Sequence, residues 1–167
     1  MRNRVFVGWL GACGAGVVLG TAAASAATYD YATVVVSVDV ARPADAVWKK
    51  VGSFCDIGPV LKMKCAYISG NGGLGTVRQL SGRFDVDEVM VAKTSHSYTY
   101  TQPNTKNLYH GTVDVESTGP DSSKITYSVF YDESGLKTDE DRAKSRDRYK
   151  KNFTAALETM KRMAAGS

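Results

Sequence analysis

The sequence predicts an α+β domain in which a curved antiparallel sheet of about seven strands wraps around one long C-terminal helix, with two short helices after the first strand. Three observations predict it. From Met63 to Asp132 the chain reads as strand after strand, divided by turn-forming stretches. After Thr138 the apolar period changes from two residues to the helical spacing. Ahead of the strands, a β-branched run is followed by two short segments punctuated by Pro and Gly. One sheet and one amphipathic helix each have an apolar face to bury, so the sheet is expected to curve around the helix.

The chain begins MRNRVFVGWLGACGAGVVLGTAAASAA, where Arg2 and Arg4 precede an apolar run from Val5 to Leu19 and small residues end in Ala24-Ser25-Ala26. That is the anatomy of a secretory signal peptide with an A-x-A cleavage site, which assigns residues 1–26 to a signal and residues 27–167 to a single domain. A rival reading is lipoprotein processing at Leu10-Gly11-Ala12-Cys13, but the apolar stretch continues past Cys13. The run is too short and glycine-rich to span a bilayer comfortably. The expected product is an exported, periplasmic protein with no stable membrane insertion once the signal is removed. Arg2 and Arg4 are two of the 21 basic residues, and without them the chain is close to balance with its 17 acidic ones. The formal charge of +4 is therefore no argument for a nucleic-acid partner. Cys55 and Cys65 remain after cleavage; in an oxidising compartment they can form a disulfide worth roughly 2–3 kcal/mol, two buried thiols being the alternative.

Residues 33–40 are β-branched and read as the first strand. Arg42-Pro43-Ala44-Asp45 opens a short helix with Pro at its first position, Val47, Trp48 and Val51 on one side and Gly52 at its end. A second helical turn over 53–57 stops at Gly58-Pro59. The strands that follow are divided at 70–75, Ser81-Gly82, 93–95, 102–107 and 117–123. Thr138 with Asp141 makes a capping box, and Tyr149, Phe153, Ala156, Leu157, Met160 and Met163 form one apolar stripe on a long helix.

In this order, ARPADAVWKKVGSFCDIGPVLKMKC, GLGTVRQL, DEV, SYTY, LYHGTVDV and KITYSVFYD resemble the helix-grip superfamily of the START domains and the birch-pollen allergen. The resemblance is greatest to its bacterial polyketide cyclase/dehydrase branch, often labelled SRPBCC, and it covers nearly all of residues 27–167. It implies a helix-grip fold around an internal cavity for a hydrophobic ligand, with polar groups of the cavity near Glu88. This fold hosts carriers, receptors and enzymes alike, so the reaction is not implied.

Cross-strand partners share a face, so hairpin registers can be tested against one another. Pairing Tyr100 with Tyr109 sets Tyr98 opposite Gly111 and His96 opposite Val113. Pairing Val115 with Ile125 sets Val113 opposite Tyr127, Gly111 opposite Val129 and Tyr109 opposite Tyr131. Both registers put His96 and the tyrosines at 98, 100, 109, 127 and 131 on the concave face, and His110 on the water-facing one. The chain's two histidines are thus not expected to act as a pair. Glu88 alternates with Val86 and Met90 on an apolar stripe, and a three-residue turn at Ser81-Gly82-Arg83 sets Arg78 diagonal to it. A partner with fixed donors reduces the cost of burying a carboxylate. An ion pair bracing the sheet and a group polarising a ligand both remain open. Five tyrosines on one concave face suit a ligand with an aromatic or fused-ring body and a few oxygens, core filling being the plainer alternative.

The candidate catalytic residues are accordingly His96, Glu88 and Arg78, and the candidate ligand-binding residues Tyr98, Tyr100, Tyr109, Tyr127, Tyr131 and Met90. No cofactor or metal is expected. Gly70-Asn71-Gly72-Gly73-Leu74-Gly75 matches G-x-G-x-x-G, but strand-like residues follow where a dinucleotide site needs a helix. No C-x-x-C or H-E-x-x-H spacing exists. The glycine-rich stretch reads as a hairpin connection and, in the resembled fold, a flap at the cavity mouth. Lys49, Lys50, Lys62 and Lys64 form a modest basic cluster that the resemblance places near the entrance. Two functions fit. One is an exported carrier for a small hydrophobic, aromatic or polycyclic ligand. The other is a cofactor-independent cyclase, dehydratase or lyase acting on a phenolic or polyketide-like substrate. In the second, His96 or Glu88 moves a proton while Arg78 and a tyrosine hydroxyl stabilise developing negative charge.

Overall fold

A computed structural model describes residues 29–166; residues 1–26, which the sequence reading assigns to a signal, lie outside them with Cys13. The strands are β1 (Tyr31–Val40), β2 (Lys64–Ser69), β3 (Val77–Ser81), β4 (Val86–Lys93), β5 (Ser97–Thr101), β6 (His110–Gly119) and β7 (Ser122–Asp132). They form one antiparallel sheet in the order β1-β7-β6-β5-β4-β3-β2. The helices are α1 (Ala44–Val51), α2 (Ile57–Leu61) and α3 (Asp139–Ala165). This is the helix-grip arrangement the sequence predicts. No helix among the described residues is long and apolar enough to cross a membrane.

Alternation decides which face of each strand is buried. In β7, Ser123, Ile125, Tyr127, Val129 and Tyr131 point inward, and their β6 neighbours Gly111, Val113 and Val115 do the same. α3 starts where Thr138 Oγ1 accepts the Asp141 N–H at 3.1 Å, with Asp139, Glu140 and Asp141 in the first turn facing the positive end of the helix dipole. It ends at Gly166, whose φ of 83° suits glycine. Between these ends Phe153, Ala156, Leu157, Met160 and Ala164 are buried against the sheet. α1 is capped by Pro43, which offers no side-chain bond. It ends at Gly52, where a Cβ would lie 2.3 Å from the Trp48 ring. A disulfide between Cys55 and Cys65, with Cα atoms 5.5 Å apart, ties the segment ahead of α2 to the edge strand β2.

The β6–β7 register is the expected one, with Val115 opposite Ile125 and Val113 opposite Tyr127. The β5–β6 register differs by two residues: Tyr100 lies opposite Gly111, and Tyr98 opposite Val113. Because side chains alternate with a period of two, this correction preserves every face. Its physical reason is space. A Cβ at position 111 would sit 2.4 Å from Tyr100 Cζ, so the glycine is what lets the tyrosine ring lie across the neighbouring strand. Tyr109 stands just outside the ladder and is still buried. The β3–β4 connection is likewise longer than a three-residue turn, so Arg78 lies directly opposite Glu88 rather than diagonal to it.

Candidate functional site

A cavity of about 810 Å³ opens between α2, the β3–β4 connection and α3, above the concave face of the sheet. Its inner wall is built from Glu88 on β4, Tyr100 on β5, Tyr109 just ahead of β6 and Tyr127 on β7, with Phe153 of α3 opposite. Exposed residues that also line it, among them Lys62, Arg83, Phe84 and Arg162, mark its mouth.

The Glu88 carboxylate accepts two hydrogen bonds, from Arg78 Nε to Oε2 at 2.7 Å and from Gln102 Nε2 to Oε1 at 2.8 Å, and Arg78 Nη2 makes an ion-pair contact with Oε2 at 2.6 Å. Arg78 is itself fully buried: Nη1 donates to the Phe54 carbonyl, and the guanidinium lies 3.9 Å over the Phe54 ring centroid and 4.8 Å from that of Tyr100. Two buried charges are tolerable here because each meets partners at hydrogen-bond distance.

Beside this pair stands a cluster of phenols. The Tyr100 hydroxyl is 2.5 Å from that of Tyr127 and 3.3 Å from that of Tyr109. Burial pushes all three phenols above their ordinary range, and the nearby Glu88 carboxylate adds to the shift. They therefore stay protonated at neutral pH. Three hydroxyls carry three protons, and the two contacts within the cluster use two, so one O–H is left to donate to a ligand oxygen. Tyr127 stacks on Phe153 at 4.2 Å between centroids, and Phe153 in turn stacks on Tyr149 at 5.8 Å, giving one wall a run of parallel aromatic faces.

The structure divides the residues that the sequence groups together. Glu88, Tyr100, Tyr109 and Tyr127 line the cavity, and Arg78 stands directly behind Glu88. Tyr98 and Met90 share the concave face but do not reach the cavity. Tyr98 is sealed under Phe54, 5.3 Å away edge-on, and Trp48, and Met90 is packed into the core. Tyr131 lies at the other end, where its hydroxyl donates to Glu133 Oε1 at 2.6 Å. Burial, reinforced by the Glu133 carboxylate, pushes its phenol up to about 12. It borders a separate pocket of about 340 Å³.

His96 stands apart from Glu88 and Arg78, beside Trp48 of α1, which also covers Tyr98. It precedes β5 rather than standing in it, and its Nε2 meets Asp45 Oδ1 of α1 at 2.6 Å, edge-on to Trp48 and outside the cavity wall. The concave face ends there because α1 covers it. His110 is on the outer face, its Nδ1–H donating to the Leu108 carbonyl at 2.8 Å. The glycine-rich loop at 70–75 is also not at the mouth: Gly75 N–H bonds the Met90 carbonyl and Lys93 Nζ reaches the Gly72 carbonyl, away from the cavity. The loop at the mouth is the β3–β4 connection bearing Arg83 and Phe84. Of the basic cluster, Lys62 alone lines the opening.

Gln102 is a site residue that the sequence pattern does not single out, although a signal for it exists: it continues the alternation Tyr98, Tyr100 by one step. Tyr149 and Phe153 read only as a core stripe, and nothing in their spacing distinguishes a packed helix face from one that borders a cavity.

Residues 31–165 match the family described as polyketide cyclase / dehydrase and lipid transport, and the chain belongs to that family. Hydrophobic-ligand binding or cyclisation is thus its broad role. No curated protein matches the sequence. Solved structures share the fold at low identity. The Zhui aromatase/cyclase of a Streptomyces species superposes with a TM-score of 0.66 at 18% identity, covering 81% of this chain and 94% of its own. A truncated norcoclaurine synthase from Thalictrum flavum gives 0.60 at 18% identity, covering 83% and 95%. The protein XoxI from Bacillus cereus gives 0.63 at 17% identity, covering 78% and 94%.

Proposed function

We propose that the protein is an exported carrier that holds a small aromatic or polycyclic molecule in the cavity between the sheet and α3, and that it works in the periplasm. The observation that carries the reading is the state of the polar groups on the inner wall. Glu88 is paired with Arg78 and Gln102, and the phenols are bonded to one another, which leaves one phenol O–H for a ligand oxygen and no unpaired carboxylate on the inner wall. Such a wall recognises a ring body and one oxygen without being arranged to move a proton. The signal-like segment of residues 1–26 and the disulfide support export, since disulfides persist in oxidising compartments.

A second reading rests on one observation: Glu88 does line the cavity, next to hydroxyls that can stabilise an oxyanion. On that reading the protein is a cyclase, dehydratase or lyase of a phenolic or polyketide-like substrate, with Glu88 as the proton-transferring group and Arg78 holding it. The names of two fold neighbours, an aromatase/cyclase and norcoclaurine synthase, are compatible with it. His96, bonded to Asp45, has no part in either reading.

Native mass spectrometry of the protein recovered from its own periplasm, with identification of whatever denaturation releases, tests the proposal. A carrier retains an unmodified aromatic compound, and Glu88→Gln changes its affinity by less than about tenfold. An enzyme converts the recovered compound, and the same substitution lowers turnover by about a hundredfold or more. Peptide mapping of the recovered chain checks export: the expected N-terminus is Ala27.

A further inference from the structure

The mouth of the cavity is electrically unlike its interior. Lys62 follows α2, Arg83 sits in the β3–β4 connection, and Arg162 lies in the last turns of α3; all three are exposed and all line the opening. None of them makes a salt bridge within the described residues, although Arg162 Nη2 is oriented by Thr159 Oγ1 at 2.9 Å. Glu158 is the one acidic side chain among these exposed lining residues. Three cations from three separate elements thus converge on one rim, with an excess of positive charge. The interior offers the reverse: Glu88 and uncharged phenols, with no cation reaching the cavity surface, since Arg78 stands behind Glu88.

We infer that the ligand is an amphipathic anion, with an apolar ring body inside, a hydroxyl or carbonyl oxygen at the phenol cluster, and a carboxylate or comparable anionic group held at the rim by Lys62, Arg83 and Arg162. This rests on the carrier reading and sets the ligand's class and direction. An anionic group inserted first meets the Glu88 carboxylate and no free cation. Inserted last, it stays partly hydrated and meets three cations set against the single carboxylate of Glu158. The rim charges also raise the capture rate of anions over neutral molecules, an effect that falls with ionic strength.

The test uses two fluorescent probes of one ring skeleton, the anion anilinonaphthalene sulfonate and the neutral N-phenylnaphthylamine, titrated into the full mature protein. The expected result is that both bind, that salt weakens only the anion, and that the triple variant Lys62→Gln, Arg83→Gln, Arg162→Gln loses about tenfold in affinity for the anion. Its affinity for the neutral probe should stay within about twofold, which also shows that it is folded. Ala155→Trp, at an exposed position on the rim, should weaken both probes by filling the opening. Equal loss of both probes in the triple variant, or anion binding untouched by Ala155→Trp, overturns the inference while the carrier reading stands. Failure of the neutral probe to bind the unaltered protein overturns both.

Discussion

Tyr98 and Tyr100 are neighbours on one strand, face the same way and are both buried, yet one is core and the other is cavity wall. Tyr98 lies under Phe54 and Trp48, which descend from α1 and the segment after it and close the space above its ring. Above Tyr100 the cover parts: α2 and α3 stand far enough apart to leave about 810 Å³. The Tyr98 hydroxyl has no hydrogen-bond partner among the described residues, whereas that of Tyr100 is shared with Tyr109 and Tyr127. The sheet supplies identical surfaces to both halves. What stands on the sheet decides which half is filled.

Four experiments probe this contrast. Arg78 serves both halves, since its guanidinium packs on Phe54 and Tyr100 and neutralises Glu88. Arg78→Met should cost about 3–5 kcal/mol in urea denaturation, because it strands a buried carboxylate. A loss under about 1 kcal/mol, by the same measurement, would mean that the Arg78–Glu88 pair contributes little to the fold.

Replacing both Cys55 and Cys65 with Ser releases the loop that carries α2. It should lower stability by about 2–3 kcal/mol and weaken neutral-probe binding, because α2 supplies one wall of the open half and little of the filled one. Unchanged binding would show that α2 is positioned by its packing alone.

Gly111→Ala places a methyl against the Tyr100 ring and should cost about 1–3 kcal/mol. It should also shift the near-ultraviolet circular dichroism as the phenol cluster rearranges. A silent near-ultraviolet spectrum would argue that the cluster does not depend on this close approach.

The smallest effect is the most direct comparison. Tyr127→Phe removes a hydrogen-bonded hydroxyl and should cost about 1 kcal/mol, while Tyr98→Phe removes an unpartnered one and should be neutral or slightly stabilising. Equal costs would erase the distinction between the two halves.

The faces of the strands are legible in the sequence. Alternation places Tyr98, Tyr100, Tyr109, Tyr127 and Tyr131 on one face, and a two-residue shift in the β5–β6 register leaves that assignment intact because the strand period is two. The same robustness puts Arg78 beside Glu88 although the β3–β4 connection is longer than a tight turn. His96 obeys the same alternation, since its carbonyl accepts the Val115 N–H at 2.9 Å and its ring lies beside Trp48 as Tyr98 does. What alternation does not foresee is that α1 covers this end of the face and offers Asp45, distant in sequence, as a partner.

The order of elements, the inward and outward faces of the strands, the stripe and capping of α3, and a lone carboxylate on an apolar stripe with an arginine near it can all be read from the chain alone. They follow from local periodicity and from the cost of burying a charge, both of which are written in short stretches of residues. It takes the packed molecule to complete the shell of Glu88 with Gln102, to seal Tyr98 while Tyr100 borders a cavity, and to bring Lys62, Arg83 and Arg162 to one rim. Those facts depend on how the strands pair and on where α1, α2 and α3 stand above the sheet, positions set by the packing of the whole core rather than by any one segment.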